Sequence, residues 1–392
     1  MIHTLRHIFN FLLVSATLIT LLFCGCKREP QLIGIGLDDS YRIPRMQKLI
    51  LHSDIQADTY LWECRKNGSQ NHNLTSTDKR FLFCTADTGT YSLTLTLQTT
   101  DGLLQHNSTI IVEEEQIAYS PYIQQVVEYR PAPGQFINTM PEYEQGDTEQ
   151  TMLQKATLAI ADNNGSMVCL GSYGGYLTFR FDHTVVNIPD SLDFYIRGNA
   201  FFTENKSQDR PGGACEPGIV MVSIDENENG LPDDIFYELA GSEYGNEQTK
   251  KNYSITYQQP ATDTLEILWT DNYGDNGKVA RNPYHQQAYF PKWINEDLTF
   301  TGTCLPKNAE LEMLNGFPYF VLYAYDWGYA DNAPNDSTRL CSFNIDWAVD
   351  EKGNKVKLPC ADFIRVYTGV NQQCGSIGEV STEISGATDM HL

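Results

Sequence analysis

The chain has 392 residues, 41% hydrophobic and 20% charged, with a formal net charge of -23 and a pI near 4.6. That length allows a sizeable core and more than one domain, and the composition is that of a globular protein, neither disordered nor polytopic. So acidic a chain repels phosphate backbones and anionic lipid surfaces, which argues against a nucleic-acid partner.

The chain begins MIHTLRHIFNFLLVSATLITLLFCGC, a lightly basic start followed by an apolar run from Ile8 to Phe23. Residues 1–26 read as an export leader. Asn10, Ser15 and Thr17 interrupt the run, which falls short of the roughly 20 apolar residues of a comfortable membrane span; removal is therefore expected, with a retained anchor as the other reading. Gly25-Cys26 resembles the bacterial lipobox, although Phe23 departs from its pattern. The resemblance implies that Cys26 is acylated and becomes the first mature residue. Lipid chains there contribute about 0.8 kcal/mol per buried methylene, an outer-membrane anchor for a body that stays in water.

Residues 27–35 read as a tether. From 36 to 115 apolar and polar positions alternate in YLWEC (60–64), RFLFC (80–84), TYSLTLTLQ (90–98) and STIIVEE (108–114), the pattern of strands in a small sandwich with Trp62 inward. GTYSLTLTLQTTDG followed by STIIVEE resembles the last two strands of a PKD domain, an immunoglobulin-like fold. In that fold the usual task is spacing or protein contact, and Cys64 and Cys84 are two cysteines that could bridge within this domain. A linker is expected over 116–130, in the connector IAYSPYIQQVVEYRPAPGQF that Pro121, Pro131 and Pro133 stiffen. Asp147 with Gln150 fits a capping box, and Met152, Ala156 and Ile160 recur at helical spacing, which predicts one helix.

Beyond it come GYLTFRF (175–181), SLDFYIRG (191–198), GIVMVSI (218–224), IFYELA (235–240), TLEILWT (264–270), YFVLYAY (319–325) and FIRVYTG (363–369). Short strands without intervening helices predict a larger, jelly-roll-like β-sandwich over 131–392, so the whole chain is expected to be mainly β. FNIDWAVD (343–350) reads as one more core strand. Eight cysteines follow Cys26, none in a CxxC pair, and their spacing chooses neither a disulfide pattern nor free thiols.

EYRPAPGQFINTMPEY, DFYIRGNAF, EPGIVMVSIDENENGLPDD, YELAGSE and DFIRVYTGVNQQCGSIGEVSTEISGATDMHL resemble an uncharacterised group of Bacteroidetes cell-surface lipoproteins with a PKD-like domain. The resemblance spans nearly the whole mature chain. It implies an accessory role in TonB-dependent uptake, with a glycan or a corrinoid as cargo. It also implies a location at the outer membrane, facing outward; Lys27-Arg28-Glu29 holds a single acid, unlike acid-rich surface-export tags, so a periplasm-facing location stays open.

Three stretches carry candidate chemistry. In DENENGLPDD (225–234), Asp225, Asn227, Asn229 and Asp233 occupy positions 1, 3, 5 and 9 of an EF-hand-like loop, with the Leu231 carbonyl at 7 and Asp234 available to complete the shell. Five crowded carboxylates repel one another unless a cation neutralises them, so a structural calcium is expected; the plainer reading is a solvated turn whose side chains bond their own backbone. YDWGYADNAPND (325–336) sets Tyr325, Trp327 and Tyr329 among Asp326, Asp331 and Asn332. That mixture suits a sugar or other amphipathic ligand, and equally an ordinary wet loop. DSL, DST and DTL at Asp190, Asp336 and Asp263 are similar to O-glycosylation acceptors of Bacteroidetes, a short signal that arises often by chance.

No HExxH, GxSxG or nucleophilic cysteine motif is present. His183 follows Asp182 in an expected strand, where neighbours face opposite ways and form no dyad. The chain therefore reads as a non-catalytic, membrane-anchored binding protein. The alternatives are an extracellular polysaccharide hydrolase, whose two acids can be distant in sequence, and an adhesive or structural surface protein.

Overall fold

A computed structural model describes residues 35–69, 73–314 and 316–392; the leader, Cys26 and most of the tether lie outside them. The protein is mainly β, with one α-helix among the described residues.

The N-terminal part is a five-stranded sheet in the order Ser40–Pro44, Gly102–Glu113, Gly89–Thr99, Thr59–Lys66, Asn73–Ser76, faced by the pair Leu49–His52 and Arg80–Phe83. Neighbours in the larger sheet are antiparallel except Ser40–Pro44, which runs parallel to Gly102–Glu113. Alternation in Gly89–Thr99 puts Tyr91, Leu93, Leu95 and Leu97 inside because successive side chains of a strand point to opposite faces. Trp62 is fully buried, stacks on Phe81 at 5.4 Å and donates its indole N–H to the Asp78 carbonyl. Cys64 belongs to this core, whereas Cys84 packs into the other one; both are free thiols, so the bridge considered between them is not formed.

The second hydrophobic cluster is built around a six-stranded antiparallel sheet. Its order is Ala348–Val349, Phe236–Leu239, Gly218–Ser223, Phe363–Thr368, Tyr176–Arg180, Gln125–Arg130. Gln125–Arg130 comes from the stretch expected to be connector and instead forms the edge, where Pro131 just beyond it interrupts no ladder. Smaller sheets pack around this one. The α-helix Glu149–Ile160 lies against the edge strand, with Met152, Ala156 and Ile160 buried and the Thr157 hydroxyl bonded to the Val126 backbone. Its cap is Thr148, which accepts from the Thr151 N–H; Asp147, the expected cap, accepts instead from Lys155 and the Glu144 N–H.

FNIDWAVD is not a continuous strand. Ser342–Phe343 and Ala348–Val349 are strands separated by a 3-10 turn over Ile345–Trp347, where the Asn344 side chain accepts from the Asp346 N–H. A short polar side chain that bonds the backbone two residues on competes with the sheet ladder.

The two parts meet at Asp362. Its carboxylate accepts from Lys48 at 2.9 Å, the Thr184 hydroxyl at 2.7 Å and the Asp225 N–H at 2.8 Å. Arg80 and Glu226 form a further ion pair across the seam.

Candidate functional site

The loop that follows Gly218–Ser223 folds around its own polar groups. Asp225, nearly buried, accepts from the Asn229 and Gly230 N–H groups, and Asn227 and Asn229 accept from the N–H groups two residues on. Both asparagine amides donate to Asp233 and hold its carboxyl below the usual aspartate range, Asn229 contributing most. Asp234 accepts from the Glu226 N–H, while Glu226 itself pairs with Arg80. Gly230 makes the sharp turn at φ 75°, a conformation glycine adopts without steric cost. The carboxylates are therefore spread over separate partners, and no three of them converge. An oxygen-only donor set suits a hard cation, and each oxygen that accepts one N–H keeps a lone pair. An ion here would rest on Asp225, the two asparagine oxygens and the Leu231 carbonyl as much as on Asp233 and Asp234.

The aromatic-acid stretch is divided by burial. Tyr329 and Asn332 lie inside: Asn332 makes two hydrogen bonds to the Tyr325 backbone, and the Tyr329 hydroxyl accepts from the Glu243 N–H. Tyr325 packs edge-on against Tyr329 at 5.3 Å, and Trp327 leans on Trp347 at 4.7 Å. Only Tyr325 and Asp326 line a cleft, of about 330 Å³, beside Arg210 and Glu243. Asp331 faces a different place, described below.

A larger cleft of about 560 Å³ opens at the seam of the two parts. Lys48 and Tyr119 line it together with Arg180, His183, Asp225 and Glu228. Much of its charge is already paired: Arg42 with Glu113, and Lys48 with Asp362. Burial opposes the Lys48 ammonium, but Asp362 and then Asp225 outweigh it and its pKa is raised. Arg180 donates one terminal nitrogen to Gln125, while its buried Nε has no partner.

His183 sits at a bend past the strand Tyr176–Arg180, so it and Asp182 meet after all, at 2.7 Å, with Asp389 at 2.7 Å on the other ring nitrogen. Burial lowers its pKa, yet the two carboxylates together raise it above the ordinary histidine value. An imidazole bound at both nitrogens has no free lone pair for general-base work.

A group that sequence reasoning missed lies deeper. Glu216, Asp331 and Glu383 bring one oxygen each within 4.8 Å of one another. Asp331 stands in the left-handed region at φ 54°, and its carboxylate accepts from the Asn199, Ala200 and Glu383 N–H groups. A Cβ on Gly198 would fall 2.1 Å from that carboxylate, so only glycine leaves it room. Glu216 accepts from the Ser381 N–H, and Glu383 from the Asn199 amide. Burial first, and then mutual repulsion, pushes Glu216 and Asp331 well above the carboxylate range and Glu383 up to about 8. Glu379, 3% exposed, is pushed by burial up to about 7. The signal available in the sequence was STEISGA (381–387), a lone acid among small and apolar residues with no base nearby.

No protein-family model matches the chain, and no curated protein matches its sequence. Among solved structures, a SusE-like protein is similar over 88% of this chain and 94% of its own, at 8% identity and a TM-score of 0.27. A structure described as explaining promiscuous specificity in carbohydrate-binding modules of the β-sandwich superfamily aligns over 88% and 93%, at 10% identity and 0.16. A quinoprotein alcohol dehydrogenase-like protein from Bacteroides thetaiotaomicron aligns over 74% and 80%, at 12% identity and 0.18. Scores this low carry no argument about the function of this chain.

Proposed function

We propose that this chain is a non-catalytic binding protein, anchored by lipid at Cys26 to the outer membrane, that captures a glycan or corrinoid at the seam between its two parts for a TonB-dependent transporter. The observation that carries the reading is the 560 Å³ cleft with the unpartnered Nε–H of Arg180 in its wall. Ligand sites favour junctions between rigid units, with a few polar groups fixing orientation, and a guanidinium among the lining residues suits hydroxyl, carboxylate or phosphate oxygens. The pairing of His183 on both sides speaks against its use as a base. The anchor and the transporter come from the lipobox and the family resemblance. Calcium at Asp225, Asn227, Asn229, Leu231, Asp233 and Asp234 belongs to the same reading as a structural ion that stiffens the cleft's rim, since Asp225 and Glu228 line it.

Calorimetric titration with a glycan panel and with corrinoids tests this. One member binds saturably without being consumed, and Arg180→Ala weakens it at least about tenfold, the loss expected for a hydrogen bond to a charged group. Turnover of any glycan replaces capture with hydrolysis; neither binding nor turnover leaves an adhesive or structural protein.

A further inference from the structure

The group formed by Glu216, Asp331 and Glu383 belongs to neither the loop nor the cleft. Oxygens that share one calcium ion at about 2.4 Å lie no more than about 4.8 Å apart, and the three carboxylates meet that limit. Asp331 is 2% exposed and Glu383 4%. Carboxylates so close and so dry cannot all stay ionised without a counter-charge. Among the described residues no Lys, Arg or His pairs with any of them, and no base figures among the groups that act on them. A second observation concerns Glu379, whose buried Oε2 has no hydrogen-bond partner. It precedes Ser381, whose N–H bonds Glu216, and Glu383 by two and four residues. Residues two apart in extended chain share a face, and the charge of Glu379 acts on both Glu216 and Glu383. The orphaned oxygen thus lies beside the group and adds to its negative field without being one of the three that converge.

We propose that Glu216, Asp331 and Glu383, backed by Glu379, bind a hard divalent cation, calcium by preference. Three converging carboxylates supply oxygen ligands only, and calcium tolerates an irregular shell of six to eight oxygens where magnesium demands an octahedron. Glu216 is the partly exposed member of the group and offers the way in from solvent. Asp331, held by three backbone N–H groups, is the fixed ligand around which the others close. The ion would tie the approach to Gly218–Ser223, the Asp331 turn and the strand Glu383–Ile384 to one point.

The test separates this site from the surface loop. Protein carrying Asp225→Asn, or Asp233→Asn if the first does not fold, is stripped with a chelator and titrated with calcium, magnesium and manganese by calorimetry, with melting followed in parallel. Calcium is expected to bind with one-to-one stoichiometry and to raise the melting temperature. Adding Glu383→Gln weakens that binding at least about tenfold, while the stripped protein melts no lower because a repulsion is relieved. No binding of any of the three metals by the loop variant, or binding unchanged by Glu383→Gln and by Glu216→Gln, overturns the proposal and leaves these carboxylates sharing protons.

Discussion

His183 shows what one residue contributes when two carboxylates hold it. Its folded-state pKa is raised above 6.5, so the folded protein keeps the proton more tightly than the unfolded chain. The stabilisation is therefore complete below the ordinary histidine value and is lost as pH rises through the raised value. The groups around the ring are Asp182, Asp389 and Tyr119, whose ring lies 5.0 Å away. Melting temperatures of the protein and of His183→Gln, compared at about pH 6 and about pH 9, should differ most at the acid end. An equal gap at both ends would mean that the imidazole is held for packing and not for charge. His391 makes a similar contact with the buried Asp193, so the chain's last residues are tied down by two histidine–aspartate contacts.

Among the elements, the helix Glu149–Ile160 is the one whose stability divides most cleanly. Met152, Ala156 and Ile160 on its inner face are fully buried, whereas Leu158 is 70% exposed, so tertiary packing holds the helix and capping adds to it. Thr148→Ala should cost about 1 kcal/mol in chemical denaturation without loss of the fold; Asp147→Ala should cost less, because an ion pair to Lys155 at a part-exposed site contributes little. If Asp147→Ala proves the more damaging of the two, the cap has been assigned to the wrong residue. The loop over 225–234 makes the complementary case. Its backbone is shaped by Asp225 and the two asparagines, so a calcium ion there is expected to raise melting temperature modestly, and Asn229→Ala to lower it even in chelator.

At the scale of the whole molecule the seam at Asp362 decides whether the two parts move as one. The side chains of Lys48 and Asp362 are 11% and 13% exposed. Removing one member of a pair this buried strands the other, at a cost of about 3–5 kcal/mol. Asp362→Ala should therefore destabilise strongly, and adding Lys48→Met should recover part of the loss, as read from a double-mutant cycle in denaturant. Additive effects would mean that Lys48 and Asp362 hold the seam independently. Because the proposed ligand cleft is made by both parts, Asp362→Ala should also weaken ligand binding, even though its loss leaves Arg180 in place.

The amino-acid sequence by itself determined where many of the strands lie: alternation in TYSLTLTLQ records which face is buried, and GIVMVSI is an apolar run covered on both faces. It also placed the acidic loop between two strands, and the leader with Cys26 can be read nowhere else, since the described residues begin after it. Strand order, the edge position of Gln125–Arg130 and the turn inside FNIDWAVD were decided by tertiary structure alone: alternation says that a face is covered and not by which neighbour. Candidate sites divide the same way. The crowding of DENENGLPDD was visible, yet which partner each carboxylate finds was not, and Tyr329 and Asn332 gave no sign that they would be buried. Glu216, Asp331 and Glu383 come from three distant segments, and neither the setting of Asp331 among aromatics nor that of Glu383 in STEISGA shows in sequence that they meet. Only the folded chain brings them together, with Asp331 and Glu383 out of water and Glu216 at the margin, and it is that loss of water that sets them apart from common surface acids.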